Sequence, residues 1–150
     1  MRCVVQRVKY AKVFVNNSLI SEIKKGFLIL LGVQINDTED DINYLTRKIS
    51  NLRIFDDENG KLNLSIKDIK GEIMLISQFT LLGSVKNGFR PDFIRAEKGE
   101  RAKNLINIFK KSLEENGLIV KEGIFGEIMD LEFVNFGPVT IIIDSKIRDF

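Results

Sequence analysis

Histidine is absent from this chain of 150 residues, tryptophan is absent too, and cysteine and proline are nearly so, with one and two copies. Each shortage closes a class of chemistry. Without histidine there is no Ser-His-Asp or Cys-His catalysis within one chain and no histidine-based metal site. Cys3 has no partner for a disulfide, so a reducing compartment, the cytoplasm, is the simpler expectation. The longest apolar run, Phe27 to Gly32, is too short to span a bilayer, and the residues from Met1 to Arg7 lack the apolar core of a signal peptide. No glycine-rich phosphate loop appears, so neither a nucleotide cofactor nor a metal is expected. Any catalysis must come from backbone groups, hydroxyls or the substrate itself.

What is present is ordinary in bulk and uneven in place. A composition 44% apolar and 29% charged suits a globular chain, and its length suits one domain over 1–150. The net charge of +2 conceals a cluster. Between Lys86 and Lys103, six basic residues (Lys86, Arg90, Arg95, Lys98, Arg101, Lys103) meet three acidic ones. Arg2, Arg7, Lys9 and Lys12 form a second group. Such clusters suit a polyanion such as nucleic acid, although a solvated loop and helix start would look the same.

Patterning predicts strands over Cys3–Val8, Ala11–Val15, Leu19–Ile23 and Phe27–Val33, with Asn16-Asn17 as a hairpin turn. A helix follows, with Asp37 as its cap and Ile42, Leu45 and Ile49 on one face. Asp57 to Gly60 reads as a turn, and Glu72–Leu81 as a central strand. A second helix places Ala102, Leu105, Ile106, Phe109 and Leu113 on one stripe and stops at Gly117. Strands over Leu118–Lys121, Ile128–Val134 and Val139–Asp144 close the chain. Strands at both ends and two helices between them predict an α+β fold: an antiparallel or mixed sheet closed or stacked into a barrel-like core, with the helices on one side.

Two runs stand out as chemistry. Ser77-Gln78-Phe79-Thr80 ends an apolar strand and brings polar groups onto both of its faces together. Gly137-Pro138-Val139-Thr140 opens another apolar stretch. Proline would interrupt a ladder there, so Gly137-Pro138 is either a tight turn or a rigid platform of outward carbonyl oxygens.

These runs, together with Gln6-Arg7-Val8, Asn51 to Phe55, Lys86-Asn87-Gly88-Phe89-Arg90-Pro91, Gly123-Ile124-Phe125-Gly126 and Asn135-Phe136, resemble in matching order the D-aminoacyl-tRNA deacylase family, from Met1 to about Ser145. The resemblance implies hydrolysis of the ester joining a D-amino acid to the terminal adenosine of tRNA. It also implies a homodimer with each active site at the subunit interface. Gly137 and Pro138, joined by a cis bond in that family, would reach into the partner's pocket, hold the substrate's α-amino group on their carbonyl oxygens and exclude an L side chain. Val139 and Thr140 continue that substrate-binding run, and Arg7 would hold it in place. Ser77, Gln78, Phe79 and Thr80 would form the opposite, catalytic wall, with the Phe79 and Thr80 amides facing the developing oxyanion. Phe79 could stack on the terminal adenine, and Lys86 and Arg90 would meet RNA.

Thr80 is not expected to be the nucleophile, because a threonine hydroxyl needs a base and there is no histidine to serve as one. An aminoacyl ester is already reactive, and its ribose 2′-hydroxyl can assist water. Two other readings remain open: removal of glycine from mischarged tRNA, which a pocket working by steric exclusion cannot easily reject, and a non-catalytic dimeric tRNA-binding protein. The chain departs from the family's usual residues at Phe136 and at Leu82-Gly83-Ser84.

Overall fold

The computed structural model describes residues 1–149. Strand β1 (Arg2–Val15) is the axis of the fold. Along one edge it pairs with β3 (Gly26–Gly32) through its first half and with β2 (Ser18–Ile23) through its second. The β1–β2 hairpin turns on Asn16 and Asn17, whose φ of 49° and 63° are those a two-residue turn of matching twist requires. Strand β3 pairs in parallel with β6 (Glu72–Ser77), and β6 in parallel with β7 (Ile119–Glu122). The last strand, β8 (Asp130–Asp144), runs antiparallel along the other edge of β1, giving a mixed six-stranded sheet. A small hairpin of β4 (Arg53–Asp56) and β5 (Leu62–Ser65) flanks the Asp57–Gly60 turn.

The alternation along each strand sorts two cores. Cys3, Val5, Phe27, Ile29, Ile73 and Leu75 face α1 (Glu39–Ser50) and α2 (Gly99–Glu115), which supply Ile42, Leu45, Ile49 and the full stripe from Ala102 to Leu113. Burying each large aliphatic or aromatic side chain contributes about 1.5–3 kcal/mol, enough to fix both helices on this face. The other face, with Leu28, Met74 and Ile76, is covered by the sheet's own ends: Ala11, Val13 and Ile23 pack there with Met129, Leu131 and Phe133. The sheet thereby curls toward a barrel, as the composition of elements predicts. Among the described residues, no helix is long and apolar enough to cross a membrane.

Four local expectations change. Helix α1 is capped by Thr38 and not Asp37; Thr38 and Asp41 form a reciprocal capping box. The Asp37 carboxylate is buried and already engaged by the Gln34 amide at 2.6 Å and the Met1 amino group at 2.7 Å. The two predicted N-terminal strands are one, because β1 continues through Lys9 and Tyr10 with irregular pairing to β8 in place of a break. The central strand stops at Ser77, where the chain tightens into a 3-10 turn over Phe79–Leu82. The two C-terminal strands are also one, so Gly137-Pro138 is no turn between strands. Gln6 pairs with Thr140 and Val8 with Asn135, which sets the four residues Phe136 to Val139 opposite Arg7 alone. They bulge from the ladder, and a proline lacking an amide is tolerated there.

Candidate active site

The first half of the site is built where β6 ends. Parallel pairing brings Ser77 beside Leu31, and the Gln78 N–H reaches the Leu31 carbonyl at 2.7 Å. Gly32 permits this closeness: a Cβ there would lie 3.0 Å from the Gln78 carbonyl oxygen. The chain then turns, with the Leu81 N–H on the Gln78 carbonyl (3.3 Å), the Gly83 N–H on the Thr80 carbonyl (3.0 Å), and Leu82 buried as the anchor. Arg2 holds the Leu81 carbonyl at 3.1 Å. The amides of Phe79 and Thr80, first in the turn, have no earlier carbonyl inside it to reach, and among the described residues no backbone carbonyl elsewhere accepts them. They are two adjacent donors with fixed positions.

The Thr80 hydroxyl is engaged by the Gln78 side-chain amide, which donates to it. An amide cannot take a proton from that hydroxyl, so Thr80 has no base there. Cys3 is no alternative. It is fully buried, and burial, only partly offset by a hydrogen bond to Ile143, pushes its thiol up to about 12.

Ser77, Gln78 and Phe79 line a cavity of about 280 Å³ between β3 and the start of α2. Its other walls are Leu31, Val33, Glu97 to Gly99, Ala102, Ile106, Phe125 and Gly126. Phe79 is half exposed and rests edge-on against Phe93, with ring centroids 5.1 Å apart. Phe125 faces the same cavity from the loop after β7, where Gly126 adopts a φ of +85°. Ala102 and Phe125 are both named from the sequence, one in the helix stripe and one in the Gly123 to Gly126 run, but neither is assigned there to the site. The helix stripe accounts for Ala102 as core, and only the paired glycines around Ile124-Phe125 mark the other segment as special.

The second half lies on β8. Arg7 is 4% exposed, and its guanidinium donates to the Phe136 carbonyl (2.9 Å) and the Ile54 carbonyl (2.7 Å), approaches Asp56 at 3.3 Å, and covers the Phe136 ring. Lys9 covers the same ring, which gives the unusual Phe136 a place. Asn135 donates to the Thr140 hydroxyl at 3.1 Å, closing the neck of the bulge. Val139 packs on the core, while Gly137 and Pro138 stand exposed at the tip. Gly137 has a φ of +103°, and the Gly137-Pro138 bond is trans, unlike the cis bond the resemblance implies.

The structure does not bring the two halves together within one chain. Ser77 shares a row of the sheet with Leu31, Cys3 and Ile143, whereas Gly137 lies opposite Arg7. Three strand spacings across and four residues along separate them by roughly 20 Å. Gly137 and Pro138 line none of the cavities that Ser77 to Phe79 line. Lys86 and Arg90 are also outside them, exposed on a loop pinched by paired Ser84–Asp92 hydrogen bonds of 2.9 Å. Of the other cations, Arg101 is committed to Glu97 and the Asp37 carbonyl, and Arg2 to Asp144.

Comparison with known proteins agrees with this architecture. Residues 4–144 match the family model described as D-Tyr-tRNA(Tyr) deacylase. D-aminoacyl-tRNA deacylases of Thermoanaerobacter pseudethanolicus and Aquifex aeolicus are 51% and 52% identical over 146 residues, covering 97% of this chain and 98% and 99% of theirs. A solved structure of a c-Myc DNA unwinding element binding protein superposes with a TM-score of 0.90 at 41% identity, covering 96% of this chain and 98% of that one. Another, of a probable eukaryotic D-amino acid tRNA deacylase, shares the fold at a TM-score of 0.82 and 16% identity, covering 95% and 98%. Matched in this way over nearly its whole length, the chain belongs to the D-Tyr-tRNA(Tyr) deacylase family.

Proposed function

We propose that the protein hydrolyses the ester of D-aminoacyl-tRNA, releasing the D-amino acid and free tRNA, in a site shared by two copies of the chain. The observation that carries this is the pair of unclaimed amides at Phe79 and Thr80 beside a cavity with aromatic walls. Water attacks the ester carbonyl, helped by the ribose 2′-hydroxyl of the substrate. The carbonyl oxygen gains negative charge and is met by the two amides. Collapse breaks the bond to the ribose 3′-oxygen, which leaves with a proton. Each well-placed oxyanion donor contributes roughly 3 kcal/mol in studied hydrolases, so two of them lower the barrier substantially, while the proton of the attacking water is left to the ribose 2′-hydroxyl. Phe79 and Phe125 offer faces to the terminal adenine, and stacking on such a face contributes about 1–3 kcal/mol.

Chirality is read by the other half. Gly137 and Pro138 of the partner subunit present carbonyl oxygens to the α-amino group and occupy the space an L side chain needs. The separation of roughly 20 Å within one chain supports a second copy as their source. So does β8, which pairs with β1 on one edge and, among the described residues, has no strand on its other edge over 15 residues, a ready surface for association. The exposure of Lys86 and Arg90 supports a role for them in meeting the phosphates of the tRNA.

The test is release of tRNA from matched D-tyrosyl-tRNA and L-tyrosyl-tRNA, with Thr80→Ala alongside. D-selective hydrolysis should survive in the variant within about tenfold, the scale of one hydrogen bond. Loss confined to the variant would make Thr80 a participant. Binding of tRNA with no turnover by the unaltered protein would leave the non-catalytic reading, and hydrolysis of glycyl-tRNA at a comparable rate would extend the substrate to the achiral amino acid.

A further inference from the structure

A second cavity, of about 230 Å³, adjoins the first and shares Ser77, Ile106 and Phe125 with it. Its polar wall is distinct. Lys103 and Asn107 stand one turn apart on α2, and Glu122 faces in from the end of β7. Among the described residues, Lys103 has no ion pair and the Asn107 side chain no hydrogen bond. Glu122 meets Lys110 at 3.4 Å through Oε1, which leaves Oε2 available. An uncommitted cation, an uncommitted amide and a free carboxylate oxygen therefore line a hollow that has an aromatic ring in its wall and is contiguous with the proposed adenosine site.

Resting on that reading of the first cavity, we propose that the second takes the base of the preceding nucleotide, the cytidine next to the terminal adenosine of tRNA. Adjacent nucleotides of a single strand need adjacent pockets, and Phe125 lies in the wall between these two. Cytosine presents an exocyclic amine that a carboxylate accepts, with acceptor atoms beside it that suit an amide and an ammonium donor. Glu122, Asn107 and Lys103 supply that set. Uracil would set its O4 against the Glu122 carboxylate and lose the fit. Phe125 adds a stacking face without regard to base identity.

The experiment compares three esters that need no folded tRNA: 3′-O-D-tyrosyl adenosine, D-tyrosyl-CpA and D-tyrosyl-UpA. With the unaltered protein, CpA should lower KM about tenfold relative to adenosine while kcat stays level, the expected gain from docking one more base. The Lys103→Ala/Asn107→Ala variant should lose that gain and still hydrolyse the adenosine ester, which also certifies its fold. Glu122→Gln should narrow the preference for CpA over UpA. Equal KM for CpA and adenosine with the unaltered protein, or a CpA gain that survives the double substitution, would overturn the subsite and leave the hydrolytic reading standing. Inertness of all three esters and of D-tyrosyl-tRNA would overturn both.

Discussion

Gly137→Ala should abolish D-selective hydrolysis, lowering kcat/KM by at least about 10²-fold, and should destabilise the fold by about 3 kcal/mol. Two effects add. A φ of +103° lies where L residues rarely go, so alanine forces the bulge to rearrange. The new Cβ would also collide with Nη2 of Arg7. Arg7 cannot swing aside into water, because it is 4% exposed and bound to the Phe136 and Ile54 carbonyls. Moving it strips two carbonyls of their donor and breaks the contact that positions the carbonyl just before Gly137. For a chain of this length the loss corresponds to a fall in Tm of about 10 °C. Calorimetry and a D-tyrosyl-tRNA assay run below the variant's Tm read the two effects separately. Unchanged Tm and unchanged selectivity would show that the bulge is neither strained nor used.

Phe79→Pro, set against Phe79→Ala, should separate the backbone's part in the reaction from the ring's. The first position of a helical turn tolerates proline, and Gln78, at φ −145° and ψ 77°, is outside the α region that a following proline disfavours. Both variants lose the ring, and with it a stacking contribution that should raise KM about tenfold. Only the proline variant also loses the amide. If that amide meets the oxyanion, kcat should fall by a further 10²-fold or so. Equal kcat in the two variants would remove the Phe79 amide from the mechanism.

The helix stripes and the alternation of Ile73 to Ile76 were legible because burial imposes period on sequence, and the structure places each residue on the expected face. Boundaries were less so. Asp37 and Thr38 are both competent caps, and the choice depends on a distant contact to Met1 that no local pattern encodes. The break expected at Gly137-Pro138 became a bulge in a continuous strand because Arg7, more than 120 residues earlier, fills the space beneath it. The Ser77 to Thr80 and Gly137 to Thr140 runs were recognisable as motifs. Their separation in one chain was legible only through the family resemblance, since register across four strands is a property of the assembled sheet and not of any local pattern. That Ala102 lines the cavity was hidden for another reason: on a helix, a residue that lines a cavity obeys the same periodicity as one that fills a core.

In the proposed site, Ser77 to Thr80 of one subunit work with Gly137-Pro138 of the other, and subunit complementation tests that pairing. Phe79→Pro damages one half-site. Pro138→Phe, at an exposed position in the bulge of an edge strand, obstructs the other and leaves its own core alone. Each variant by itself should be inactive toward D-tyrosyl-tRNA. Refolded or coexpressed together they should recover about a quarter of the unaltered activity, because half of randomly paired dimers are mixed and each mixed dimer holds one intact site of two. A mixture no more active than its two components would contradict a shared site and place the whole of the chemistry within a single chain.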